Sequence, residues 1–572
     1  MAGISARAEA SNPALVASES TGLGGTVRRA REPGKPCVSG TSVEAREGRM
    51  RRRVLFALWV VAIAAALVAP RSGAASGSER AAVAERDFDG DGFADLAIGA
   101  LWEDVGPVDQ AGALGVIHGS ATGLGGALIT WDHGTPGVPG EPDPLDHLSQ
   151  ALATGDLDGD GFADLAMGAP DDEVAGAMNA GSVTVLYGSA TGLSSAGSQR
   201  WHEDVQGVPE VAEGNDNFGQ ALGAGDFDGD GFADLAIGAY RESVGAIEGA
   251  GAVIVLRGSA KGLSATGSRL FHQDRTGVPG NAADFDQFGQ ALAAGNLGRG
   301  RFDDLAIGVP NDEVDGTFGA GSVHVFYGSD GGLTATGSDL WDQGVLKGSV
   351  EISDNFGFSL ATGNVGMGEK SDLVVGVPFE AVGDLNHAGA VNVIYGSPDG
   401  LIAEGNQQWH QDITGVGGTA ERNDIFGTAL AVGNLGGGVQ EDLVVGVPGE
   451  DAGADGAGVV NVLYGSPSGV STAGNEVLYQ DTVGVMGTAE TADTFGHSLA
   501  IGNFGKGPQQ DLAVGVPGED VGSIENAGAV NILYGSAAGV ATQGNMLLTQ
   551  DSDGSDDAAE PFDLFGRSLA ST

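Results

Sequence analysis

Asp226-Phe-Asp-Gly-Asp-Gly-Phe-Ala-Asp234 decides the fold of this chain. Its carboxylates stand at loop positions 1, 3, 5 and 9, and the short Asp side chain lets several of them converge on one point. Gly231 at position 6 permits the sharp backbone bend that such convergence needs. Four carboxylates in one loop repel one another strongly without a cation, so the stretch predicts an oxygen cage suited to Ca²⁺. Phe218-Gly219 precedes the loop, Leu235-Ala-Ile-Gly-Ala239 follows it, and the whole unit recurs along the chain.

The recurrence has a period of 68 to 70 residues, with loops starting at Asp87, Asp156, Asp226, Asn296, Asn364, Asn434 and Asn503. Each unit repeats the same order of pieces. A Phe-Gly-x-x-Leu-Ala strand, as in Phe426 to Ala431, is followed by the nine-residue loop and then by Asp-Leu-Ala/Val-Ile/Val-Gly, as in Asp442 to Gly446. A Pro- and acid-rich loop leads to a third strand such as Ala180 to Ser189, and a weaker fourth run follows, as in Gln408-Trp-His-Gln-Asp412. The third strand alternates, with Val183, Val185 and Tyr187 pointing one way and Thr184 and Leu186 the other. No stretch carries a helical period. Although 572 residues would ordinarily suggest several domains, four short strands repeated seven times predict one all-β, seven-bladed β-propeller over residues 76–572.

The ends of the repeat predict how the ring closes. The first unit enters at Asp87 without a Phe-Gly strand, and the chain ends on a lone one, Asp563-Leu-Phe-Gly-Arg-Ser-Leu-Ala570. Counting Leu148-Ser149 as a degenerate copy, seven Phe-Gly strands serve seven loops. The C-terminal strand is therefore expected to complete blade one, the alternative being Ala81 to Arg86 in that place.

Composition narrows the function classes. The formal charge is −51, with 26 basic residues too scattered for a phosphate-binding surface, which argues against nucleic acid as a partner. Met50-Arg-Arg-Arg53, the apolar run Val54 to Val68 and the small residues through Ala75 have the order of a secretory signal, and the run is short for a membrane span of about 20 residues. Residues 50–75 are thus expected to be a signal peptide, with Met50 the true start and residues 1–49 an upstream over-extension. The single cysteine, Cys37, lies in that extension, so the mature chain is expected to have no disulfide. Beyond Ala75, 15 basic residues face 72 acidic ones. A secreted or cell-envelope monomer without a membrane anchor is expected.

Phe218-Gly219, the loop Asp226 to Asp234 and Gly238-Ala239 together resemble the FG-GAP repeat of integrin α-subunit propellers, and Gly168-Ala169-Pro170 matches the second half of that motif. The resemblance runs from Asp87 to Ala570 and implies a seven-bladed propeller with calcium in its hairpin loops. It is to exported, propeller-only FG-GAP proteins of bacteria more than to a whole integrin. Integrins place their calcium in later blades, whereas here the acids fall in the first three, so ligand specificity is not carried over.

Three Ca²⁺ sites are expected. Blade one would use Asp87, Asp89, Asp91 and Asp95 with the carbonyl of Phe93. Blade two would use Asp156, Asp158, Asp160 and Asp164 with Phe162, and blade three Asp226, Asp228, Asp230 and Asp234 with Phe232. The last acid stands at position 9 rather than 12 and strands flank the loop, so this is not an EF-hand. In blades four to seven positions 3 and 5 have lost their acids, as in Asn296-Leu-Gly-Arg-Gly-Arg-Phe-Asp-Asp304, and no calcium is expected. There the terminal Asn and Asp would hold the turn by hydrogen bonds to the backbone, and Arg299, Arg301, Lys370 or Lys506 would partly replace the cation.

Two more acids recur. One ring is Asp146, Asp216, Asp286, Asp354, Asp424, Asp493 and Asp563; the other is Glu103, Asp172, Glu242, Asp312, Glu380, Glu450 and Glu519. Both fall at the face opposite the metal loops. They would either line a cation-attracting mouth or tie down loops, and seven-fold repetition favours the second. His202, His272 and His410 share one fourth-strand position and read as packing residues. A catalytic constellation breaks symmetry because one substrate needs one site, yet the polar residues here mostly obey the repeat. The sequence therefore predicts a calcium-binding adhesion or binding module with an extracellular protein or glycan ligand, and no enzyme. A structural matrix component is the alternative, and a polysaccharide- or lipid-acting hydrolase the third.

Overall fold

The computed structural model describes residues 87–552, 555 and 557–572. The expected signal peptide, the extension before it and Cys37 lie outside the described residues. Seven four-stranded antiparallel sheets follow one another around a ring, so the fold is a seven-bladed β-propeller. Blade one takes its innermost strand from the C-terminus. Phe565–Ser571 pairs with Leu96–Ala100, placing Leu96 opposite Ser571 and Ile98 opposite Leu569.

The alternation read in the third strand is real, but both of its faces are covered. All of Ser182–Tyr187 is buried. Val183, Val185 and Tyr187 pack with Leu235 and Ile237 of blade three, whereas Leu186 joins Ala97, Leu114 and Val116 of blade one. Each blade is a sheet between two neighbours, so its middle strands have no solvent face. Seven apolar clusters result, one at each junction between blades. The outermost strands are largely half-buried or exposed, as in Ser194–Trp201.

The Phe-Gly motif builds those junctions. Phe218, Phe288, Phe356, Phe426, Phe495 and Phe565 are all buried, and Leu148 fills the same place in blade two. The glycine after the Phe meets the glycine of the preceding blade's second strand: a Cβ on Gly168 would stand 2.0 Å from the Gly219 carbonyl oxygen, and one on Gly238 would stand 2.2 Å from that of Gly289. Ser149, the one non-glycine at this position, adopts φ 76° and donates its hydroxyl to the Ala113 carbonyl at 2.7 Å. The degenerate copy is a working one.

A second seam runs through the metal loops. The position-1 carbonyl of each loop accepts the position-8 amide of the next blade: Asp87 from Ala163 at 2.9 Å, Asp156 from Ala233 at 2.8 Å, and so on to Asn503 from Ala94 at 2.8 Å. That last bond joins blade seven to blade one and closes the seam. The axial channel is narrow, about 300 Å³, and is lined by Leu152, Thr154, Leu222, Leu292, Leu499 and their neighbours without a carboxylate.

Candidate metal centre

The nine-residue loops join the first and second strands of each blade, and the chain's antiparallel order puts all seven at one end of the ring. Within blade one, Asp87 Oδ1 accepts the amides of Gly90 and Asp91 and Oδ2 that of Gly92 at 2.8 Å, while Asp89 and Asp91 accept the amides two residues on. The same pattern recurs around Asp156 and Asp226. These bonds wind the backbone so that acids at alternate positions face one point. Side-chain oxygens of Asp87, Asp89 and Asp91 lie within 4.8 Å of one another, as do those of Asp156, Asp158 and Asp164, and of Asp226, Asp228 and Asp230. Asp95 instead groups with Asp89 and His118, and Asp160 and Asp234 fall outside these triplets. A cation bound by oxygens at about 2.4 Å spans such separations.

Position 9 has a second role that the sequence reading assigned only to blades four to seven. Asp164 accepts the amides of Leu157 at 2.7 Å and Gly188 at 2.8 Å, which ties its loop to the end of the third strand. Asp95 and Asp442 make the same pair of bonds, and Asp304 and Asp372 accept the amide at the end of the third strand together with that of Gly298 or Gly366, one residue further along the loop. Burial pushes Asp164, Asp234, Asp304, Asp372 and Asp511 up to about 7 whether or not the rest of the loop is acidic. Position 9 therefore belongs to the fold first.

Position 7 also does more than offer a carbonyl. The rings of Phe162, Phe232 and Phe302 each cover the position-4 glycine of the preceding loop, so closely that a Cβ on Gly159 would stand 2.4 Å from the Phe232 ring. Position 4 has positive φ throughout, including Arg299 at 52°, Met367 at 61° and Lys506 at 65°. Gly161 and Gly231 at position 6 also have positive φ but open space around them.

The residue ending the third strand sets each loop's electrostatics. His118 Nδ1 lies 3.1 Å from Asp95 and 3.7 Å from Asp89, and the Asp95 hydrogen bond raises the imidazole's pKa. In blade three, Arg257 pairs with Asp228. In blade two, Tyr187 turns away to Gln199 at 2.6 Å and accepts the Leu263 amide. Blades four to seven lack an acidic triplet among the described residues. Of their expected substitutes only Lys370 reaches into a loop, donating to Asn296 Oδ1 at 2.6 Å and to the Gly300 carbonyl of the preceding blade. It stands at position 7, where blades one to four place the Phe and blades six and seven a Gln. Arg299 pairs with Asp339 at 2.8 Å and stacks on Tyr327, Arg301 faces Asp330, and Lys506 lies over Tyr534.

At the opposite end most acids of the two rings hold loops or junctions. Asp146, Asp216, Asp286, Asp354 and Asp493 each accept the amide three residues upstream at 2.6 to 2.9 Å. Glu380 and Glu450 accept the side-chain amides of Gln343 at 2.6 Å and Gln411 at 2.7 Å from the preceding blade, and Gln480 and Gln550 serve Glu519 and Glu103 likewise. His202, His272 and His410 are half-buried, and burial lowers their pKa values, as packing residues require.

Burial pushes Glu380, Glu450 and Glu519 up to about 7 from an ordinary 4.5. The folded state thus binds these protons more tightly than the unfolded chain, and their contribution to stability falls as pH rises from about 4.5 through 7. In chelator, the melting temperature is expected to rise on acidification from pH 8 to pH 5. Glu380→Gln/Glu450→Gln/Glu519→Gln should flatten that dependence. A melting temperature that falls over this interval would contradict it.

The FG-GAP repeat family matches residues 80–117, 150–186 and 218–256. These are blades one to three, each match spanning the second strand, the third strand and the acidic loop before them. Phosphatidylinositol-glycan-specific phospholipase D of Rattus norvegicus is 30% identical over 188 residues, 32% of this chain and 21% of that protein. Integrin alpha-PS2 of Drosophila melanogaster is 28% identical over 274 residues, 46% of this chain and 18% of that protein. The chain thus matches only about a fifth of the length of these relatives. A rhamnogalacturonan lyase, YesW, covers 79% of this chain at 15% identity with a TM-score of 0.31. No helix among the described residues is long and apolar enough to cross a membrane. One register runs through all seven blades, and the first three carry FG-GAP repeats.

Proposed function

We propose that this chain is an exported propeller, stabilised by calcium in the loops of blades one to three, that binds an extracellular protein or glycan through the opposite face and acts by binding rather than catalysis. The observation that carries the reading is the distribution of exposed large apolar side chains. Leu145, Met178, Val211, Phe285, Phe318 and Ile352 are between 49% and 75% exposed, and all six lie in connections at the end opposite the metal loops; at the metal-loop end the exposed counterparts are Met367 and Val439, in the loops of blades five and six. They come from blades one to five, and Met178 and Phe318 lie within the variable segments 171–180 and 311–320. Most of the ring acids of that face hold loops or junctions, which leaves the apolar set to a partner. The metal loops then serve stability. At an affinity on the order of 10⁻⁴ M each would contribute roughly 1.4 kcal/mol in about 1 mM calcium.

Screening the purified chain against glycan and extracellular-protein arrays, with and without calcium, tests this reading. Binding that Phe285→Ser/Phe318→Ser weakens at least tenfold, with the melting temperature unchanged, is expected. Binding abolished by changes at the metal-loop face but untouched by these two would contradict it. The phospholipase D relatives supply the enzymatic alternative, and turnover of a glycolipid by the chain alone would replace the binding reading.

A further inference from the structure

Two junctions depart from the rule that holds the others. After the fourth strand, Gln343, Gln411, Gln480 and Gln550 donate to the acid of the next blade, and Gln273 holds the same position in blade three. In blade one that position is His133, which bonds Thr184 at 3.1 Å, and Asp172 is met by Arg200 of its own blade. Blade two has Glu203 at the Gln position. It faces Glu242, and Asp216 completes the group: one carboxylate oxygen of each lies within 4.8 Å of the other two.

All three are buried, Glu203 at 1% exposure, Asp216 at 3% and Glu242 at 6%. Neither oxygen of Glu203 has a hydrogen-bond donor, and Glu242 Oε2 also lacks one. Asp216 keeps the loop bond of its ring, accepting the Glu213 amide at 2.6 Å, so its other oxygen is the one left for the group. An amide in place of Glu203 would satisfy Glu242 as Gln343 satisfies Glu380. The carboxylate instead adds a third buried negative charge with nothing in the protein to meet it, an arrangement that costs several kcal/mol unless a cation or protons supply the balance. Asp216 also lines a cleft of about 430 Å³ with Glu213, Glu248 and Phe285, which gives the group a way out to solvent.

The geometry points to a divalent cation site formed by Glu203, Asp216 and Glu242, on the opposite face of the ring from the FG-GAP loops. The donors are all hard carboxylate oxygens, and their spread fits an ion of calcium's size, whose oxygen ligands stand at 2.3–2.6 Å. It binds where four other blades use a neutral amide, so the cation replaces a hydrogen bond at one junction, beside the cleft that Asp216 lines. Burial and the adjacent carboxylates push Glu203 up to about 10 and raise Glu242. The competitor for the site is accordingly a pair of protons, with Glu203 and Glu242 neutral.

Glu203→Gln separates the two, because it installs the residue that the fold already uses at this place. Calcium bound per chain is counted at equilibrium by dialysis and elemental analysis for the wild type, for Glu203→Gln, and for the loop variant Asp89→Ala/Asp158→Ala/Asp228→Ala. The wild type is expected to hold one ion more than Glu203→Gln. In chelator the variant should melt at or above the wild-type temperature, and excess calcium should raise the wild type more. The loop variant should keep the ion that Glu203→Gln loses. Equal counts in the wild type and Glu203→Gln would overturn the site and leave the proton-sharing pair. Unchanged binding in the loop variant would instead overturn calcium in the loops, without bearing on the difference made by Glu203.

Discussion

Removing the last ten residues, Asp563 to Thr572, is expected to abolish cooperative folding, although they lie far from every metal loop in sequence. The segment is the inner strand of blade one, paired along Leu96–Ala100. Phe565 is buried in the cluster that joins blades seven and one, with Ile98, Val530 and Ile532, and its amide bonds to the Ala527 carbonyl at 2.9 Å. Thr572 accepts the amide of Asp95 at 2.9 Å, so the cut also reaches the first metal loop. Burying one Phe side chain is worth about 1.5–3 kcal/mol, and the truncation loses that together with a full strand ladder and one of seven inter-blade cores. The sum is comparable to the whole stability of an ordinary domain, about 5–15 kcal/mol. The freed edge of Leu96–Ala100 is also apolar and flat, a template for aggregation. Circular dichroism melts and sedimentation of the truncated chain check this. A cooperative monomer melting within a few degrees of the full chain would show that the ring does not depend on this strand.

Gly238→Ala is the second change expected to be severe. Its Cβ would stand 2.2 Å from the Gly289 carbonyl oxygen of the next blade, well inside contact distance and against backbone that cannot rotate aside. The two blades would have to separate locally, at a cost on the order of 3 kcal/mol or more. Gly231→Ala is the control. It has φ 96° and nothing within 4 Å, so it should cost only the left-handed strain of about 1–2 kcal/mol. Urea midpoints in chelator should rank Gly238→Ala well below Gly231→Ala. Equal losses would mean that glycine serves both places for its backbone freedom alone.

That comparison also explains what the sequence made legible. The repeat was plain because every blade needs the same few contacts: a buried Phe, two glycines that touch across a junction, and an Asp that staples the loop to the third strand. Leu148-Ser149 could be read as a copy because its place in the register was fixed by its neighbours, and Ser149 keeps the positive φ. The third strand was legible as a strand, but its alternation did not say that both faces are covered. Periodicity reports two sides and not what lies against them. Asp164 and its counterparts were read as ligands because acidity in a tight loop suggests a cation, whereas their amide partners at Gly188 and Leu157 come from packing in three dimensions. The ring of Phe162 was overlooked for a related reason, since its contact is with the preceding blade.

Glu203 was within reach of the sequence alone. Aligning the residue two places after the last apolar residue of the fourth strand gives His133 and Glu203 among Gln273, Gln343, Gln411, Gln480 and Gln550, one place beyond His202, His272 and His410. Only the fold shows that Glu242 and Asp216 stand beside the residue that breaks the repeat.

Crystals grown in calcium, with anomalous scattering used to locate the ions, test the central claim most directly. The loops at 87–95, 156–164 and 226–234 should each hold one peak bridged by that loop's acidic triplet, and the loops at 296–304, 364–372, 434–442 and 503–511 should hold none. Empty loops in blades one to three, or peaks in all seven, would contradict a propeller that keeps metal on one side of its ring.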